Sequence, residues 1–158
     1  MGMKLSSIAI DSDKSENGIW KEVALGTGFE CLIARHTNSR FRAELERRLM
    51  DITRESSKEP TAKQYSDATL KAFCSHILLD WRGIEDDDDQ PIPYSSEKAY
   101  EILSNPEYAD LREAIENVST SEKAYRREAN LGNLKGSSGG GLKTESKPTG
   151  TSEEETEG

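Results

Sequence analysis

Cys31 with His36, and Cys74 with His76, are the residue pairs best suited to chemistry in this sequence. Four such side chains can hold zinc, and a cysteine beside a histidine can serve as a nucleophile with its base. The spacings argue against both. Cys-x4-His and Cys-x-His are not zinc-finger spacings, and no third residue can be named to orient a Cys–His pair. Both cysteines also sit inside apolar patterns, where a reduced thiol behaves as a small hydrophobe. The run Glu85-Asp86-Asp87-Asp88-Asp89 suggests calcium, but a loop counted from Asp86 has Pro91 where the calcium loop needs glycine. Like charges in series repel, so this run is expected to be an extended, solvated connector. Gly26-Thr27-Gly28 lacks the third glycine of a dinucleotide loop, Cys31 standing in its place, and reads as a hairpin turn. HExxH and P-loop signatures are absent. The expectation is a protein with no catalytic residue, no metal and no cofactor, one that binds rather than reacts.

Charge narrows the range of partners. The 158 residues carry a formal charge of −9, distributed as +1 over residues 1–63, −8 over 64–130 and −2 over 131–158. An acidic second half is repelled by nucleic acid and by anionic lipid, so neither is expected as a partner. The one basic cluster, Arg35, Arg40, Arg42, Arg47, Arg48 and Arg54, is interleaved with Glu44, Glu46 and Asp51, as on a solvated helix face. No run approaches the roughly 20 apolar residues of a membrane span. The opening residues meet acids before an apolar run can form, so no secretory leader is read there. The Met1-Gly2 start with Ser6 fits a myristoylation signal only as a chance match. Two cysteines are too few for a disulfide framework, and the cytoplasm is the simplest compartment.

The elements that must position these residues follow from periodicity. Lys4–Ile10 is a plausible strand, followed by a polar run and an Asn17-Gly18 turn. Residues 19–25 and 29–34 alternate around the Gly-Thr-Gly turn, which predicts a hairpin added to that first strand. Helices are then expected from Asn38 or Ser39 to about Ile52, from Thr61 to about Trp81, from Ser95 or Ser96 to Leu103, and from Asn105-Pro106 to before Gly132. Gly83 is expected to stop the second of these. Trp81 is expected to be mostly buried and to anchor Pro91-Ile92-Pro93. The class is α+β: a small N-terminal antiparallel sheet over 1–36, a helical region over 37–130 with about four helices, both in one domain, and a Gly/Ser/Glu-rich tail over 131–158. That tail has no aromatic residue and no apolar face, so its composition predicts disorder.

Residues Ile77-Leu78-Leu79-Asp80-Trp81-Arg82-Gly83, the acidic turn and Gln90-Pro91-Ile92-Pro93-Tyr94-Ser95 form one contiguous signature. After it come Asn105-Pro106-Glu107-Tyr108 and Asp110-Leu111-Arg112. The block resembles the tail assembly chaperones of long-tailed, siphovirus-type bacteriophages, over roughly residues 15–125. Thr37-Asn38-Ser39-Arg40-Phe41 is similar to a helix start of that family. Asp89 departs from it, since relatives often have glycine there. The resemblance implies a chaperone that binds the tape measure protein in several copies and keeps it soluble in the host cytoplasm while tail tube subunits polymerise. It implies departure before the virion matures and, through a frameshift-extended form, contact with the tail tube protein. The tail after Leu131 would then be either a linker or an unstructured terminus. Leu78, Leu79, Trp81, Ile92 and Tyr94 are the candidates for an apolar client-binding patch, and the alternative is that they fill the core. A structural virion protein, such as a tail completion or head–tail connector subunit, is the other reading.

The composition boundary can be checked directly. Limited proteolysis is expected to trim the chain to a stable core ending near Leu131, and protection reaching residue 150 would place the boundary wrongly.

Overall fold

The computed structural model describes residues 2–127, so the expected tail lies outside the described residues. These divide into two units, one comprising 2–9 with 126–127 and the other Ile10–Tyr125. In the first, the expected strand is instead a 3-10 turn over Leu5–Ile8. The Ser7 hydroxyl donates to the Lys4 carbonyl at 2.7 Å, and such local bonding competes with a ladder. Arg127 N–H donates to the Ala9 carbonyl at 3.1 Å.

The second unit is α+β, as expected, with a three-stranded antiparallel sheet and five helices. Helix α1 (Ser12–Asn17) occupies the run read as a loop. Asp11 caps it, accepting from the Asp13 and Lys14 amides at 3.0 and 3.2 Å. Asn17-Gly18 therefore ends a helix and does not turn a hairpin. Strands β1 (Ile19–Ala24) and β2 (Phe29–Ile33) form the expected hairpin, with Gly26 and Gly28 at φ of 79° and 78°. The Thr27 amide and hydroxyl both donate to the Ala24 carbonyl, and the Glu22 carboxylate accepts the Gly28 amide at 2.8 Å. The glycine pair makes a turn here, its Gly28 amide taken by Glu22.

Helices α2 (Ser39–Ser56) and α3 (Ala62–His76) follow. A capping box starts α3: the Thr61 hydroxyl accepts the Gln64 amide, and the Gln64 side chain accepts the Thr61 amide. Helix α2 runs one turn past the expected Ile52 and stops at Ser57, which is left-handed with φ of 56°. Its Arg side chains pair along the helix with Glu44 and Asp51, as a solvated face should.

The third strand of the sheet is β3 (Leu78–Arg82), not the expected N-terminal segment, and the sheet order is β1-β2-β3. The helix expected to run to Trp81 thus ends at His76. The cause of the misreading is a bulge. Leu78 pairs with Ile33, yet Asp80 pairs with Leu32, so one residue is skipped. On a regular strand Leu78 and Trp81 would face opposite ways; the extra residue puts both on the core face. Their spacing of three then continues the helical pattern of Phe73, Cys74 and Ile77 across a change of structure. Gly83, expected to stop a helix, instead lets β3 pass the hairpin turn at φ of 80°. A Cβ there would lie 2.3 Å from the Gly28 carbonyl oxygen.

Trp81 is buried, as expected. Its indole N–H donates to the Ile92 carbonyl at 2.7 Å, and its ring meets that of Tyr94 edge-on at 5.1 Å. The acidic run between them is a closed turn rather than an extended connector. Ile92 N–H donates to Ile84, Asp86 N–H to Gln90, and the Asp86 carboxylate accepts the Asp88 and Gln90 amides. Asp89 takes the left-handed conformation, with φ of 58°. Its carboxylate and those of its neighbours remain in water.

Helix α4 (Ser96–Leu103) is capped by Ser95, and a 3-10 turn over Pro106–Tyr108 leads into α5 (Ala109–Ser119). The last helix is shorter than expected because Ser119 and Thr120 turn their hydroxyls back onto the Glu116 carbonyl. Tyr125 lies beyond it in a further 3-10 turn, fully buried. The core joins Phe29, Cys31 and Ile33 of β2 and Leu78 and Trp81 of β3 to Leu70, Phe73 and Ile77, to Leu103 of α4 and to Ile115 of α5.

Two substitutions check this arrangement. Trp81→Ala is expected to cost about 3–5 kcal/mol, the usual range for a buried Trp, and a urea midpoint unchanged from wild type would deny the anchor. Asp89→Gly removes the side chain from a left-handed position, where an L residue is penalised by roughly 1–2 kcal/mol in regular backbone. It is expected to raise the melting temperature slightly, and a fall would show that the Asp89 side chain itself supports the turn.

Candidate protein-interaction surface

The structure brings four of the five expected contact residues together, but largely inside the protein. Leu78 and Trp81 are core residues, and Ile92 and Tyr94 are half-buried beside them. The Tyr94 hydroxyl lies 2.7 Å from the Cys74 carbonyl and 2.6 Å from that of Leu78, so it ties the end of α3 to the start of β3. Burial pushes its phenol well above the ordinary range. Leu79, the bulged residue, is half-buried. In this fold Leu78 and Trp81 belong to no exposed patch, because the bulge turns both inward.

The residues weighed for metal or nucleophilic chemistry are accounted for by packing. Cys31 and Cys74 are fully buried, and burial pushes each thiol up to about 12. Asp80 adds to the rise at Cys31; Arg112 opposes it at Cys74. The thiolate is the form that binds metal or attacks carbon, so both groups are held in their unreactive state. The His36 ring donates from Nδ1 to the Ser119 carbonyl at 3.1 Å. Among the described residues no group of three or more His, Cys, Asp or Glu side chains is placed to hold a metal.

A cavity of about 280 Å³ is lined by Arg48, Lys71, Ser75, Ser96, Glu97 and Tyr100. Its two cations already have partners. Arg48 pairs with Glu44 at 2.8 Å and Lys71 with Asp67 at 3.1 Å, and Asp67 also accepts the Tyr100 hydroxyl. That bond is the main cause lowering the Asp67 carboxyl below its ordinary value. A pocket with internally matched charges is poorly suited to seize an ion.

What stands open is the outer face of the sheet. Helices α3 and α5 pack on the face that carries Cys31, Ile33, Leu78 and Trp81. Paired residues of an antiparallel sheet share a face, so the register defines the other side. One row is Trp20, Leu32 and Asp80, and the next is Glu22, Glu30 and Arg82. The Arg82 guanidinium lies 4.0 Å over the Trp20 ring and its Nε donates to Glu30 at 2.6 Å, so ring, cation and carboxylate form one stack. Trp20 keeps 36% of its surface exposed, Leu32 is half-buried, and Leu25 at the hairpin tip is 90% exposed. Large apolar residues held by preset polar neighbours are the usual anchors of protein interfaces. No helix among the described residues is long and apolar enough to cross a membrane.

Sequence reasoning passed over Trp20, Leu32 and Arg82. The alternation of Ile19, Lys21 and Val23 against Trp20, Glu22 and Ala24 was legible. Both sides are mixed, however, and only the pairing with β3 shows which one the helices cover.

Comparison with known proteins gives one family. A family model described as YdaY prophage protein matches residues 36–135. No curated protein and no solved structure matches the chain.

Proposed function

The chain belongs to the YdaY prophage protein family, and from that premise we propose that it is a non-catalytic phage protein that binds another protein during virion assembly. The prophage family agrees with the phage side of the resemblance carried by residues 77–112. The finer reading is a tail assembly chaperone that holds the tape measure protein soluble in the host cytoplasm and departs before the virion is complete. The observation that carries it is the outer sheet face, where Trp20 keeps 36% of its surface exposed beside the half-buried Leu32 and no helix of the unit packs over the pair. A client that must later be released calls for such a small anchor, repeated over several copies, rather than a large permanent interface. The net charge of −9 supports the same reading, because it keeps a coated apolar client dispersed. Of the five residues first considered, Leu78, Leu79, Trp81, Ile92 and Tyr94, the buried Leu78 and Trp81 are set aside, and Trp20 and Leu32 are taken as the client contact. A frameshift-extended form would add the tail tube protein as a second partner.

The test is co-expression with the tape measure protein of the same prophage. The two are expected to co-purify with several copies of this chain per client, and mass spectrometry of purified particles is expected to find none of it. Presence in particles at a fixed, ring-like copy number would replace the chaperone with a tail completion or connector subunit.

A further inference from the structure

We infer that the outer face of the sheet seats a single basic, amphipathic helix, an inference that rests on the binding role proposed for that face. Three dimensions set the occupant. Three strands at roughly 4.8 Å spacing make a strip about 10 Å across, and one helix with its side chains is about 10–12 Å wide. Strands of five or six residues run roughly 17–20 Å, which a helix of about 12 residues spans at 1.5 Å each.

Charge selects among helices. Trp20 on the edge strand β1 pairs with Leu32 on the central strand β2, and Glu22, Glu30 and Asp80 share their face of the sheet. The one cation on the face, Arg82, is already engaged by Glu30 and by the Trp20 ring. Beyond Arg82 and Gly83 the chain runs straight into the five acids of Glu85–Asp89. An acidic helix would meet repulsion from every side. A helix with an apolar stripe and flanking lysines would cover Trp20 and Leu32 while its cations face the carboxylates. The acidic rim would speed encounter and set orientation, and the apolar pair would hold the complex.

The experiment titrates the full chain into two fluorescein-labelled 18-residue peptides, read by anisotropy. One alternates leucine and lysine at helical spacing, and the other carries glutamate in place of lysine. The basic peptide is expected to bind at least tenfold more tightly. Trp20→Ala and Leu32→Asn are each expected to weaken it by tenfold or more while the protein melts normally. Asp80→Asn, which keeps the oxygen that accepts the Trp81 amide at 2.8 Å, is expected to weaken it less. Met50→Ser, on the outward side of α2, should leave it unchanged. Equal binding of both peptides, or a folded Trp20→Ala protein that binds as wild type does, would overturn the inference. The two proposals separate cleanly. Peptide binding without co-purification of the tape measure protein would remove the chaperone and keep the helix seat. Co-purification that survives both Trp20→Ala and Leu32→Asn would do the reverse.

Discussion

The passage from Ile33 to Asn38 is the constraint on which the rest of this fold depends. In six residues the chain leaves the central strand and bonds to almost every other part of its unit. The Ile33 carbonyl accepts the Tyr125 hydroxyl, Ala34 N–H donates to Ile77, Arg35 N–H to Ser15, and His36 N–H to Ser119. Asn38 is buried, yet its side chain is saturated: it accepts the Phe41 amide to start α2 and donates to the carbonyls of Arg35 and His76. Desolvating an amide side chain is costly unless its hydrogen bonds are made. Here each bond also fixes an element end: α1 through Ser15, α3 through His76 and Ile77, and α5 through Ser119. The histidine that looked like a ligand is a strut in this crossing, holding Ser119 by both its backbone and its ring.

Trp81 and Tyr94 do the same work on the far side of the sheet. The bulge in β3 aims Trp81 into the core, the indole N–H holds the chain at Ile92, and Tyr94 returns to α3. The closed acidic turn between them costs little in repulsion because its carboxylates stay in water while its backbone is bonded across. Helix α2 shows the opposite balance. Phe41, Leu45, Leu49 and Ile52 are spaced for burial, yet no residue of α2 is fully buried, and its Asp51 ion pairs are exposed ones worth little. It is held chiefly at its cap and along α3.

Local signals were legible where local physics decides. The hairpin around Gly26-Thr27-Gly28, the caps offered at Asn38 or Ser39, at Ser95 or Ser96 and at Asn105, and the inward stripe of α3 all follow from turn chemistry and periodicity. Failures came where a distant partner decides. Lys4–Ile10 has strand composition, but the place beside β2 is taken by β3, which lies 45 residues further along than Ile33. Leu78 and Trp81 fit a helix because a bulge reproduces helical spacing in an extended chain. For the surface, apolar content pointed to the residues around Trp81, whereas exposure fell to Trp20, whose neighbours across the sheet no local window contains.

The edges of this sheet are treated unequally. On β3, the Trp81 amide is taken by the Asp80 side chain and the Leu78 carbonyl by Tyr94, so that side has little left to offer a stranger. Strand β1 is the other edge, and it is short, carries Lys21, and breaks register between Glu22 and Ala24. Irregularity and a lysine are the features that stop one chain's edge from zipping onto another's. The same kink that spoils the ladder keeps the open edge of one copy from growing into a fibre with the next.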